Sequence, residues 1–168
     1  LSAEDQTPQS MPDASPTKWH RAHTSWFFEE FVLGDDSAYQ HYDATYRYLF
    51  NSYYEAVGPR HLRPQRGLIT RPGVGEISRY RQHVEEAVQE RLDRGCLDGA
   101  QLERVELGCH HEQQHQELLL MDIKHLFSGH AFAPVYVDRP ADIDAPVTPQ
   151  AWQAVRGGLA EVGHDGIG

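Results

Sequence analysis

An uninterrupted run from Gln101 to Phe127, free of proline and rich in Leu, Glu and Gln, constrains this chain more than any other stretch: it predicts one long helix. Within it lies Gly108-Cys109-His110-His111-Glu112-Gln113-Gln114-His115-Gln116-Glu117-Leu118. His111 and His115 are four residues apart, so a helix projects both imidazoles from one face, one turn above the other. Neutral imidazoles converging from adjacent turns hold divalent metals, and a His-x-x-x-His pair supplies two such donors. The plain alternative is a pair of solvated histidines on a polar face. Leu107, Leu118 and Asp122 share the histidine face, which sets the pair along a partly apolar seam. Asp122, two turns beyond His115, is either an orienting partner behind a ligand histidine or a surface charge. Glu117 points to the far side of the helix and is poorly placed as a ligand, whereas Gln114 flanks the pair, where its amide can meet a substrate. One helix seldom closes a metal site, so a third ligand must come from elsewhere.

The chain's 168 residues are enough for one domain with a real core and some extra. A formal net charge of -10 argues against nucleic-acid binding, because no basic stripe is available to neutralise phosphates. No apolar run approaches the roughly 18 residues a membrane span needs, and no signal peptide opens the chain. Both cysteines, Cys96 and Cys109, fall in or beside predicted helices; a disulfide framework is not expected, and a reducing cytoplasm fits better. Cys109 reads as a buried small residue, with a soft ligand or reactive thiol as the alternative.

Three further helices are expected. Ser15-Pro16 reads as an N-cap followed by proline at the first helical position, opening a helix over about Pro16 to Leu33 that Gly34 ends. Its density of Trp19, Trp26, Phe27 and Phe28 marks it as a core helix, and His20 and His23 read on spacing alone as hydrogen-bonded core histidines. A second helix is expected from Ser37 to Val57, with Tyr39, Tyr42, Tyr46, Tyr48, Tyr53 and Tyr54 as a packing stripe and Gly58-Pro59 as the stop. Residues Arg60 to Gly75 read as a long loop whose Arg60, Arg63, Arg66 and Arg71 are either solvated charges or hooks for a substrate carboxylate. A third helix is expected over Glu76 to Arg94, with Ile77, Tyr80, Val84, Ala87, Val88 and Leu92 as its apolar face and Gly95 as its terminator. Together with the histidine helix, which Ser128-Gly129 ends, these predict an all-α, up-and-down four-helix bundle with one long connection. From Ala131 to Pro149 the chain turns proline-rich and extended, and Leu159 to Gly166 reads as a short strand and turn.

The stretches Ser15-Pro16-Thr17-Lys18-Trp19-His20-Arg21-Ala22-His23-Thr24-Ser25-Trp26-Phe27-Phe28-Glu29 and His111-Glu112-Gln113-Gln114-His115-Gln116-Glu117-Leu118-Leu119 closely resemble the iron(II)-dependent sulfoxide synthases of ergothioneine biosynthesis, also called hercynine oxygenases. The resemblance runs from about residue 1 to the end, with both elements in the family's order and separation. It implies a DinB-like four-helix bundle followed by a domain similar to the formylglycine-generating enzyme, which Gly157 to Gly166 resembles at its opening. By that resemblance His23, His111 and His115 are the three Fe(II) ligands, so His23 rather than His20 is the third donor. Gln114 matches a glutamine that contacts the histidine-derived substrate, and Tyr53 and Tyr54 match a tyrosine pair near the metal pocket of some members. In that family the three open metal positions accept the imidazole of hercynine (N-α-trimethylhistidine), the thiolate of cysteine or γ-glutamylcysteine, and O2. The implied reaction joins sulfur to C2 of the imidazole and oxidises it to a sulfoxide.

The expected organisation is therefore an irregular segment over 1–14, a DinB-like metal-binding domain over 15–130, a linker or strap over 131–156, and the start of the second domain over 157–168. Family members are far longer, and a catalytic tyrosine and much of the substrate pocket come from their C-terminal domain. The resemblance thus implies a fragment of an enzyme that binds metal weakly or is inactive alone, and needs that domain to complete its site. The competing readings are a DinB-like zinc- or nickel-dependent thiol transferase or hydrolase, and a non-catalytic helical interaction module.

Overall fold

The computed structural model describes residues 1–138 and 148–163. The chain divides into two units, Leu1–Tyr136 and Val137–Gly168. The first holds every helix, and no strand occurs among the described residues, so the described fold is all-α. Helix α1 spans Thr17–Phe28 and passes into a wider π-type turn over Glu29–Leu33. A single turn, α2, covers Tyr46–Leu49; a 3-10 stretch covers Arg63–Leu68; α3 runs Val74–Asp93 and α4 Gly99–Ser128. Helix α1 packs against both α3 and α4 and so forms the buried spine.

The expected start of α1 differs in detail. Pro16 is itself the cap, and the Ser15 side chain does not cap the helix. Its Oγ instead accepts from the Arg66 guanidinium at 2.8 Å, and its backbone N–H donates to Asp122 at 2.8 Å. The ends of α3 and α4 follow their local chemistry. Gly95 takes φ +60 after the α3 cap residue Arg94, its N–H bonding Leu92 O while Cys96 N–H bonds Arg91 O, the paired closure that a left-handed glycine permits. Asp98 opens α4 through a reciprocal capping box with Gln101.

The second helix expected over Ser37 to Val57 is the main correction: only Tyr46–Leu49 is helical. Polar side chains in this segment satisfy the backbone locally and offer it an alternative to the helix. Asp36 accepts from Ala38 N and Asp43 from Thr45 N; the wholly buried Asn51 accepts from Tyr54 N and donates to the carbonyls of Tyr54 and Gly58. Glu29, buried at the π turn, gathers the segment further, accepting from the Tyr39 hydroxyl, the Tyr42 backbone N–H and the Tyr80 hydroxyl at 2.9, 2.9 and 2.6 Å. The tyrosines therefore do not form one stripe: Tyr46 is buried, Tyr39, Tyr42 and Tyr54 pack at the core's edge, and Tyr48 and Tyr53 are exposed.

The core joins Trp19, Trp26 and Phe27 of α1, Val32 and Leu33 of the π turn, Phe50, and Ile77, Tyr80, Val84 and Val88 of α3. The expected apolar face of α3 is thus largely buried, although Leu92 at its end is exposed. The irregular N-terminal segment is packed through Gln9, which donates to the carbonyls of Ala14 and Arg63 and accepts from Gly67 N. In the second unit, the described residues form neither helix nor strand. The strand expected at Leu159 is absent over 159–163, and its continuation at His164 to Gly166 lies outside the described residues.

Helix α4 buries only Gly108, His111 and Ile123. Gly108 is where α4 meets α1: a Cβ there would lie 2.5 Å from the Phe28 ring. Gly108→Ala is therefore expected to lower the unfolding free energy by about 1–2 kcal/mol, overpacking outweighing the gain in helix propensity. Gly99→Ala, whose added Cβ meets nothing within 4 Å, is the control. Urea denaturation of both variants checks this, and equal stability would show that the helix contact yields without cost.

Candidate metal centre

Helix α1 contributes His23, and α4 contributes His111 and His115 one turn apart. These are the three residues that the resemblance selects, and their candidate ligand atoms all lie within 4.8 Å of one another. Ring centroids are separated by 4.9 Å (His23–His111), 4.7 Å (His23–His115) and 4.5 Å (His111–His115). His23 is 1% exposed and His111 8%, so the cluster belongs to the core and is not a solvated helix face.

Each ring is held differently. The His23 Nδ1–H donates to the Phe50 carbonyl at 2.6 Å, which leaves Nε2 with its lone pair free. The same ring stacks between Trp19, at 4.6 Å and 15°, and Trp26, at 5.4 Å and 17°. His111 packs on Phe27 at 4.6 Å, and its Nδ1 is buried without a hydrogen-bond partner. His115 Nδ1 lies 2.9 Å from His20 Nδ1. His20, 4% exposed, uses its other nitrogen to reach Asp122 Oδ2 at 2.9 Å. The reading of His20 as a hydrogen-bonded core histidine is thus met, while Asp122 stands behind the site one step further back than a direct partner of a ligand histidine would.

Electrostatics keeps the cluster neutral. Burial, then the nearby His115 and His111, hold the His23 imidazole well below its ordinary value. Burial lowers His111, and burial with His111, His20 and the arginines Arg66 and Arg63 lowers His115 to about 3. All three rings therefore present lone pairs at neutral pH, the state in which imidazole binds a metal. The donor set, three neutral imidazoles of which His111 also has a buried Nδ1 without a hydrogen-bond partner, fits a borderline divalent cation such as Fe(II), Zn(II) or Ni(II).

Beside His115 opens a cleft of about 240 Å³, lined among others by Gln114, Tyr53, Ser52, Arg63 and Arg66. Gln114 and Tyr53 thus fall where a substrate next to the cluster would lie. Tyr54 sits behind them, stacked on Tyr53 at 4.8 Å and 6.5 Å from the His23 ring. Of the four loop arginines only Arg66 turns inward, 2% exposed, its guanidinium 3.3 Å over the Trp19 ring; Arg60, Arg63 and Arg71 are exposed. The buried Arg66 Nε and Ser52 Oγ have no hydrogen-bond partner. Cys109 is exposed and outside the cluster, which corrects its reading as a buried residue and removes it as a ligand. Leu107 is also exposed, so the apolar seam begins only at Gly108.

Sequence reasoning missed the bridging role of His20, although its spacing of one turn from His23 on α1 was visible. It also missed the Phe50 carbonyl and Arg66 over Trp19, which depend on loop conformations that no periodicity encodes. A scan against protein-family models finds no match to this chain, and a search of curated proteins finds no similar one.

The lowered imidazole values carry a stability consequence. Each ring protonates near 6.5 when unfolded but resists protonation when folded, so its contribution is complete above about pH 6.5 and falls away as the pH drops below it. The urea midpoint of the metal-free protein should fall between about pH 7 and pH 5, and His115→Leu should flatten that slope. A midpoint unchanged over this range would mean that the rings are not held neutral by the fold.

Proposed function

We propose that this chain is the metal-binding part of an iron(II)- and O2-dependent sulfoxide synthase that joins a cysteine-type thiol to C2 of the hercynine imidazole. One observation carries the reading: His23, His111 and His115 gather in the core beside a cleft that holds Gln114, Tyr53 and Arg66. In this reading α1, α3 and α4 are the long helices of a DinB-like domain, and 157–168 opens a second domain. No helix among the described residues is long and apolar enough to cross a membrane.

Iron, when bound, supplies the binding and activation of O2 and open positions for thiolate and imidazole. The remaining roles fall to the chain's own groups. Three neutral imidazoles leave the cation's charge uncompensated, which favours an anionic thiolate in place of water. Arg66, whose buried Nε has no hydrogen-bond partner, lines the cleft together with Arg63, and either guanidinium could pair with a substrate carboxylate. Gln114 offers an amide to the hercynine side of the cleft, and the exposed Tyr53 forms its rim. The reaction balances with O2 alone: the thiol S–H and the imidazole C2–H give way to a C–S bond, one oxygen atom goes to sulfur, and the other leaves as water.

The test uses nitric oxide in place of O2. Chain loaded with Fe(II) and nitric oxide should give a high-spin electron paramagnetic resonance signal whose shape changes on adding hercynine. Gln114→Leu should keep the iron signal but need at least about tenfold more hercynine, the loss of roughly one polar contact. Absence of the iron signal would contradict the reading, a signal indifferent to hercynine would mean that Gln114 and its cleft do not hold the substrate without the second domain, and tight uptake of zinc with thiol-dependent turnover would favour a thiol transferase.

A further inference from the structure

Two histidines of the cluster, His23 and His115, have one ring nitrogen engaged in a hydrogen bond, each in a different way. For His23 a backbone carbonyl does this directly, since a carbonyl can only accept and so places the proton on Nδ1. For His115 the partner is another imidazole, Nδ1 to Nδ1 at 2.9 Å, and such a contact requires that one ring donate and the other accept. Which ring donates decides whether His115 has a lone pair or a proton on its free nitrogen, Nε2.

Asp122 resolves this ambiguity. Its Oδ2 accepts from the Ser15 backbone N–H at 2.8 Å, which anchors the carboxylate at the entry of α1, and lies 2.9 Å from His20 Nε2. A carboxylate in this place accepts, so His20 carries a proton on Nε2; with that single proton on the ring, Nδ1 keeps its lone pair. His115 must then donate from Nδ1, and its lone pair lies on Nε2. Without the relay a neutral histidine favours the opposite form, with the proton on Nε2, where it would block the metal. Water does not scramble the arrangement, because the His20 side chain is 4% exposed and that of Asp122 11%.

We propose that Asp122, acting through His20, sets the tautomer of His115 and keeps its Nε2 lone pair ready for the metal. His20 and Asp122 are positioning residues: neither belongs to the ligand set. The inference rests on the metal-centre reading above, but its first readout needs no metal.

Long-range proton–nitrogen correlation spectra of the metal-free chain, labelled with nitrogen-15 in its histidine rings, report each tautomer directly. The expected pattern is Nε2–H for His20 and Nδ1–H for His115. Asp122→Leu should move His115 towards Nε2–H and weaken Fe(II) binding by about 10- to 100-fold, as loss of partners behind metal ligands typically does. Asp122→Asn, whose amide oxygen can accept both bonds, should retain the wild-type tautomers and an affinity within about threefold. The His23 ring signals, tied to Phe50 and independent of Asp122, serve as the folding control. An Nε2–H form of His115 in the wild-type chain overturns the proposal. So does an Asp122→Asn chain that is folded yet behaves as Asp122→Leu, because charge rather than proton placement would then be at work. Correct tautomers in a chain that takes up no iron would support the relay while refuting the metal reading, so the two failures are distinguishable.

Discussion

The hydrogen bond from the His23 ring to the Phe50 carbonyl is the contact on which the rest of the site depends. It joins the buried spine α1 to the irregular tyrosine-rich segment that replaces a helix, and it does so in the core, where neither group can turn to water. A buried polar group without a partner costs about 1–3 kcal/mol, so each end of this bond specifies the position of the other. Trp19 and Trp26 stacked on the imidazole leave it no freedom to tilt. Once His23 is fixed, the close approach of α4 through Gly108 and Phe28 brings His111 and His115 against it. The result is three nitrogen lone pairs gathered in an apolar setting, an arrangement that a cation relieves and that packing alone does not favour.

Charge separates the site from the rest of the molecule. The chain carries a net charge of -10, whereas the cleft beside His115 is lined by Arg63 and Arg66 as well as by Asp13 and Asp122, and the ligand set contains no carboxylate. The acidic surface therefore says little about what the cleft accepts. Two arginines are balanced by two aspartates there, so a divalent ion held by neutral donors would tip the local field positive. Burial of Arg66 against Trp19 links the cleft to the histidine cluster mechanically as well, because the same indole stacks on His23.

The long helices were legible because their signals are local. The proline-free run around His111, the apolar spacing of Ile77, Tyr80 and Val84, and the glycine after α3 each act within a few residues. The His-x-x-x-His pair was legible for the same reason. The expected helix over Ser37 to Val57 failed because Asn51, Asp43 and Asp36 bind the backbone themselves and Glu29 reaches in from a distant turn, a competition that helical periodicity does not register. His23 and His20 could not be ranked from spacing, since both are buried on α1 and both are hydrogen-bonded. What separates them is which neighbour each ring meets across the core, and that is a property of the assembled fold. Cys109 was misplaced because α4 buries a much narrower stripe than its composition suggests.

Whether His23, His111 and His115 form one metal site is decided by anaerobic titration of the chain with Fe(II). One stoichiometric equivalent is expected, lost separately in His23→Ala, His111→Ala and His115→Ala. Absence of stoichiometric uptake, or uptake indifferent to His23, would contradict it and leave the three histidines as a packed, metal-free feature of the core.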